Sequence, residues 1–188
     1  MANRLTQITT GAGDGGNTRL ADGKRVSKSS LRIEAIGAVD ELNAAIGVFV
    51  ATLKQKECQD FAAREDVEAL CYQVQNELFN VGGELASPSN HFISSAATAD
   101  VEHFIERMNE TLPPLKEFVI PGQNLTSAYA HMARCVARRA ERDVVRLSEH
   151  DTVSTELLVY LNRLSDAFFI MARLTGRTVS TDEPQWQK

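Results

Sequence analysis

The run Ala130-His131-Met132-Ala133-Arg134-Cys135-Val136-Ala137-Arg138-Arg139-Ala140-Glu141-Arg142-Asp143-Val144-Val145-Arg146-Leu147 decides how this chain is read. At about 100° per residue, Tyr129, Met132, Val136, Ala140 and Leu147 share one helical face. Arg134, Arg138, Glu141 and Arg142 project from the opposite face. A helix that packs one side and carries a row of guanidinium groups on the other needs an anion, a partner subunit or water behind it. Water suffices if the charges pair among themselves, Glu141 with Arg138 and Asp143 with Arg139. Such exposed pairs contribute little. Arg134, Arg138 and Arg142 repeat at i, i+4 and i+8 with no carboxylate between the first two, which favours an outside partner.

Helical periodicity continues on both sides. Asn124 is placed to cap this helix, predicted over about 125–148. A following helix, about 153–175, is capped by Asp151 and ended by Gly176. Its seam is Leu157, Leu161, Leu164, Phe168, Met171 and Thr175, and most of its remaining surface is apolar, so it reads as buried. Asn162, Asp166 and Arg173 line one flank and need partners there. Upstream, about 31–53 reads as a helix with Val39, Leu42, Ile46, Phe49, Val50 and Leu53 inward. Gly37, Asp40, Ala44 and Gly47 fall on its other side, where small residues let another helix or subunit approach. A helix over about 63–85 buries Val67, Leu70, Val74, Leu78 and Val81 and breaks at Ser87-Pro88-Ser89-Asn90. Thr98 or Asp100 caps a helix that reaches Leu112 before Pro113-Pro114. Phe118-Val119-Ile120-Pro121-Gly122 is a short apolar loop. No strand-period alternation is long enough to use. The fold class is all-α: a five-helix bundle (31–176) with a Gly/Thr-rich N-terminal loop (1–30) and a polar tail (177–188), in one domain.

Composition narrows the function classes. The chain has 188 residues, enough for one substantial core. Its net charge is -5, against a general nucleic-acid binder. The first residues lack the apolar stretch of a secretory signal, and no apolar run approaches a membrane span. Cys58, Cys71 and Cys135 lack CxxC spacing. Cys71 and Cys135 read as buried thiols of a reducing compartment. A cytoplasmic location is the expectation.

Gly11-Ala12-Gly13-Asp14-Gly15-Gly16 satisfies GxGxxG, but no hydrophobic strand precedes it and no helix follows directly, so a Rossmann site is set aside. No GxxxxGK[ST] loop is present. What remains is a segment whose backbone N–H groups suit phosphate oxygens, or a flexible arm. The histidines show no metal spacing. No Ser/His/Asp or Cys/His set is visible.

In chain order, the loop ending in Thr18 is followed by Asp22-Gly23-Lys24-Arg25-Val26-Ser27-Lys28 and then by 31–43, which reads Leu-Arg-Ile-Glu-Ala-Ile-Gly-Ala-Val-Asp-Glu-Leu-Asn. Next come Phe118-Val119-Ile120-Pro121-Gly122, Arg138-Arg139-Ala140-Glu141-Arg142 and Tyr160-Leu161-Asn162-Arg163-Leu164-Ser165-Asp166. Together these resemble the trimeric ATP:cob(I)alamin adenosyltransferases. The resemblance implies a homotrimer with ATP bound between subunits and the N-terminal loop wrapping the triphosphate. Its nucleotide-binding segment covers Thr10, Gly11, Ala12, Gly13, Asp14, Thr18, Arg19, Lys28, Arg138, Arg139, Glu141, Arg142 and Asn162. Asp40 and Arg134 match a salt bridge across the subunit interface and, with Arg138, form the implied catalytic set. Phe118 matches the aromatic on the lower face of the corrin.

The implied reaction transfers the 5′-deoxyadenosyl group of ATP to cob(I)alamin, giving adenosylcobalamin and triphosphate. Cobalt(I) is itself the nucleophile, which fits the absence of a Ser, Cys or His set. The protein aligns C5′ with cobalt and stabilises charge on the leaving triphosphate through Arg, Lys and phosphate-bound Mg2+. An adenosylcobalamin-dependent enzyme is the implied acceptor; neither nucleic acid nor membrane is a partner. The chain departs from the family's Thr-(Lys/Arg)-Thr-Gly-Asp loop at Gly11 and Ala12. It also has Ile36 where an aromatic is common and Gln123 where a second Gly is common. These changes predict weaker ATP binding or a loop that orders differently. The alternatives are a non-catalytic trimeric bundle that binds nucleotide or corrinoid, and a scaffold whose arginines meet a partner's carboxylates.

Overall fold

The computed structural model describes residues 9, 11–54, 58 and 61–188. Among these residues, five α-helices carry the fold: α1 (Leu31–Leu53), α2 (Arg64–Ala86), α3 (Ser95–Asn109), α4 (Leu125–Ser148) and α5 (Thr155–Gly176). They pack in the order α2–α1–α4–α5–α3, with α3 returning to α2. Ion pairs Glu34–Arg146 and Glu41–Arg139 join opposite ends of α1 and α4, so the two run antiparallel. Tyr160, Phe49, Phe168, Leu42 and Ile46 are among the fully buried side chains of one core.

Helix α4 begins where expected because Asn124 Oδ1 accepts a hydrogen bond from the Ser127 amide at 2.7 Å. Helix α3 begins earlier than the sequence reading placed it. Ser94 is the N-cap in extended geometry, and Thr98 lies buried inside the helix. The helix also stops at Asn109, short of Leu112. Helix α5 is capped by Ser154, whose hydroxyl accepts from the Leu157 amide. Asp151, the expected cap, instead pairs with Arg32 at 2.7 Å. Arg32 is buried and also donates to the carbonyls of Leu85 and Thr152. One guanidinium thereby ties the start of α1 to the end of α2 and to the α4–α5 link.

Three further expectations change. By length and composition α1 is apolar enough to cross a membrane, although the sequence reading found no such run; Leu42, Ile46 and Phe49 nevertheless lie at zero exposure inside the bundle. Met132 is 59% exposed. The buried face of α4 is centred on Ala133, Ala137, Ala140 and Val144, and Met132 sits about 100° from it. Cys135 is on the outer face and exposed, whereas Cys58 and Cys71 are buried.

A buried carboxylate holds the α2–α5 end together. Glu84 accepts from the amides of Phe92 and Ile93 at 2.8 and 3.2 Å and from the Ser154 hydroxyl. Burial pushes its pKa up, but these hydrogen bonds and His91 outweigh burial and leave it below the ordinary 4.5. A depressed carboxylate pKa gives stability that is present above the unfolded-state value and lost as pH falls through the folded one. Tm is expected to drop on acidification below pH 4.5. In a pH series of thermal melts, Glu84→Gln should lower Tm at neutral pH and flatten that drop.

Candidate active site

The N-terminal segment is more ordered than a loop. Gly11, at φ 68°, opens a turn in which the Asp14 amide donates to the Gly11 carbonyl at 3.3 Å. Strands β1 (Asn17–Arg19) and β2 (Arg25–Ser27) then form an antiparallel hairpin, pairing Asn17 with Ser27, Thr18 with Val26 and Arg19 with Arg25. Three-residue strands carry too little alternation to be read from sequence. Leu20 is buried, and the Ala21 amide donates to the Ala86 carbonyl at the end of α2, which docks the hairpin on the bundle. Ala12, Gly13, Asn17, Thr18, Arg19 and Arg25 wall a hollow of about 440 Å³. A Cβ on Gly13 would stand 2.9 Å from Lys28 Nζ, so the ammonium arches over this glycine. Arg25, which the sequence reading passed over, joins the hollow because the hairpin sets it opposite Arg19. Thr10 lies outside the described residues.

The arginine stripe divides into two sets. Arg139 reaches Glu41 at 2.5 Å, and Arg146 reaches Glu34 at 2.9 Å and Asp143 at 3.0 Å. The expected ladder, Arg138 with Glu141 and Arg139 with Asp143, does not form. Glu141 accepts instead from Asn162 Nδ2 at 2.7 Å, and Asn162 Oδ1 accepts from Arg163 at 2.8 Å. Arg138 and Arg142 have no ion-pair partner among the described residues. With Glu141, Val145, Arg146 and Glu149 they line a groove of about 410 Å³. Asp166 is exposed near Asn162, whereas Arg173, three turns along the same flank, is buried against Glu183 of the tail.

A third hollow, about 490 Å³, is lined by Phe118, Val119, His131, Arg134 and Phe169, with Lys116 and Glu117 at its rim. Phe118 is 79% exposed and stands on irregular backbone. The tail supports it: the Trp186 amide donates to the Phe118 carbonyl at 2.8 Å, and the Ile120 amide to the Pro184 carbonyl at 2.7 Å. The tail is anchored by Glu183, which accepts from Arg173 at 2.8 Å, both side chains being 4% exposed or less. Gln123 Nε2 adds a bond to the Asp182 carbonyl, and its oxygen fills the space beside Gly176.

The cobalamin adenosyltransferase family profile matches residues 8–175. The chain belongs to this family. It is 40% identical over 188 residues to the cobalamin adenosyltransferase of Cupriavidus metallidurans, covering 100% of this chain and 98% of that one. It is 35% identical to the corrinoid adenosyltransferase of Bacillus subtilis, with 97% and 93% covered. Among solved structures, a variant PduO-type ATP:corrinoid adenosyltransferase from Lactobacillus reuteri complexed with cobalamin and ATP superposes with a TM-score of 0.86. That pair is 28% identical, with 96% of this chain and 97% of the other covered.

Within this adenosyltransferase the loop hollow and the arginine groove share no residue. Asp40 is exposed on α1 with no partner among the described residues, and Arg134 Nε is buried without one. Gly11 stands where the family commonly has Lys or Arg, and its positive φ is strained for either. No group of three or more His, Cys, Asp or Glu among the described residues is arranged to hold a metal.

Proposed function

We propose that the protein transfers the 5′-deoxyadenosyl group of ATP to cob(I)alamin, releasing triphosphate, as a homotrimer with sites between subunits. The observation that carries this reading is the pair of guanidinium groups, Arg138 and Arg142, without ion-pair partners among the described residues, in a groove beside the Glu141–Asn162 hydrogen bond, on a chain of this family. In the reading, the hairpin of one subunit (Gly13, Thr18, Arg19, Lys28) closes on the triphosphate held by Arg138 and Arg142 of the next. Asp40 of one copy pairs with Arg134 of another. Asn162 and Glu141 hold each other for hydrogen bonding to the nucleoside.

The corrinoid, the substrate that supplies the nucleophile, enters at the hollow around Phe118. There the ring excludes a lower axial ligand. The protein has then only to align C5′ with cobalt and to stabilise charge on the departing oxygen. Both tasks suit fixed guanidinium groups. Mg2+ enters as a ligand of the phosphates, and no step is assigned to it. The compartment is the cytoplasm, where unpaired thiols stay reduced, and the product passes to an adenosylcobalamin-dependent enzyme.

Adenosylcobalamin formation from reduced corrinoid and magnesium-ATP tests the reading; no product at millimolar ATP would end it. A ligand of the native state at about 100 times its Kd stabilises by about 2.7 kcal/mol. For a chain of this size that is a Tm rise of about 5–10 °C. Thermal melts with and without magnesium-ATP should show it.

A further inference from the structure

His131 is a buried polar side chain that neither the bundle nor the phosphate chemistry accounts for. It stands on α4 three residues before Arg134, on the same flank, and is 5% exposed. Its Nδ1 is buried with no hydrogen-bond partner among the described residues. The ring meets Phe169 edge-on, with 6.2 Å between centroids and 61° between planes. His131, Phe169, Phe118 and Arg134 wall the same hollow. An unpaired buried nitrogen destabilises a fold. A Phe or Leu on this helix would fill the same space at no such cost, so packing is not the reason for an imidazole here.

The chemistry of the group narrows its ligand. Burial, and then the charge on Arg134, push its pKa down to about 4. At neutral pH it is an uncharged ring with one N–H and one lone pair. A phosphate is served by guanidinium groups. A neutral donor–acceptor set among aromatic rings suits a primary amide, whose NH2 donates and whose carbonyl oxygen accepts. The edge of a corrin ring bears such amides, on an otherwise apolar macrocycle.

We propose that His131 is a corrinoid-binding residue, its imidazole hydrogen-bonding an amide at the edge of the corrin ring whose face Phe118 meets. The proposal rests on the reading of this hollow as the corrinoid side of the site. Its test is steady-state kinetics of His131→Phe and His131→Gln, alongside 15N spectra of the histidine-labelled wild-type protein.

His131→Phe is expected to raise KM for the corrinoid about tenfold, the loss of roughly one neutral hydrogen bond. KM for ATP and kcat should stay within twofold. His131→Gln, which restores a donor and an acceptor, should recover most of the loss. A corrinoid KM within twofold of wild type in His131→Phe overturns the proposal. So does a wild-type His131 ring-nitrogen resonance that stays in place when adenosylcobalamin is added, a measurement that holds even if a variant fails to fold. If the unmodified protein makes no adenosylcobalamin, the enzymatic reading falls, while the resonance still reports whether His131 meets a corrinoid.

Discussion

Arg138→Ala is expected to lower kcat for adenosylcobalamin formation by about 100- to 1,000-fold, the usual loss when one preorganised donor to a developing oxyanion is removed. Its Tm should stay close to that of wild type. Arg138 is exposed and has no ion-pair partner among the described residues, so the fold has little to lose with it. A guanidinium aimed at phosphate is different, because the charge it meets grows as the triphosphate leaves. Arg138→Lys keeps the charge without the planar fork and should fall between the two. Arg107→Ala is the control: it breaks a two-pronged surface pair with Asp66 between α3 and α2, neither residue lining the groove, and should leave kcat within twofold. A stripe that only solvates α4 would show no difference between Arg138→Ala and Arg107→Ala in single-turnover assays. The scaffold reading would then stand.

The sequence carried most of the bundle because its helices obey local rules. Asn124 caps α4, Pro88 follows the end of α2, and the seam of α5 is fully buried as its spacing requires. The errors fall where a tertiary partner decided. Asp151 is as good a local cap as Ser154, but Arg32, 119 residues away in sequence, claims it. Arg139 has Asp143 one turn ahead, yet Glu41 on α1 takes it. Arg173 finds the partner its flank position requires, but in Glu183 of the returning tail, which no helical period could point to. In each case a periodic pattern ranks the positions, and the choice between two carboxylates depends on which helix packs alongside. Of the candidate site, the sequence shows the residue type, a row of Arg on an acidic chain. It does not show the division into Arg139 and Arg146, committed to α1, and Arg138 and Arg142, without an ion-pair partner among the described residues.

Glu183→Ala should act on both stability and the corrinoid side of the site. Removing one partner of a buried ion pair costs about 3–5 kcal/mol when the other stays buried. Here the tail can lift and let water reach Arg173, so the loss is capped by the free energy of tail docking. Arg173 also keeps its bond to the Pro113 carbonyl. The expected loss is therefore nearer 2 kcal/mol, a Tm decrease of about 4–8 °C. Lifting the tail breaks the Trp186–Phe118 and Ile120–Pro184 hydrogen bonds and leaves Phe118 on unsupported backbone. KM for the corrinoid should rise about tenfold or more, and bound cobalt(II) corrinoid should regain a lower axial ligand in its absorption spectrum. KM for ATP should hold, because the hairpin hollow and the α4 groove share no residue with the tail. Glu183→Gln, which retains hydrogen bonds to Arg173 but not the charge, belongs between the two. A tail that becomes protease-sensitive in Glu183→Ala with no change in corrinoid KM would separate the latch from Phe118 and leave Arg173–Glu183 as a stabiliser of the fold alone.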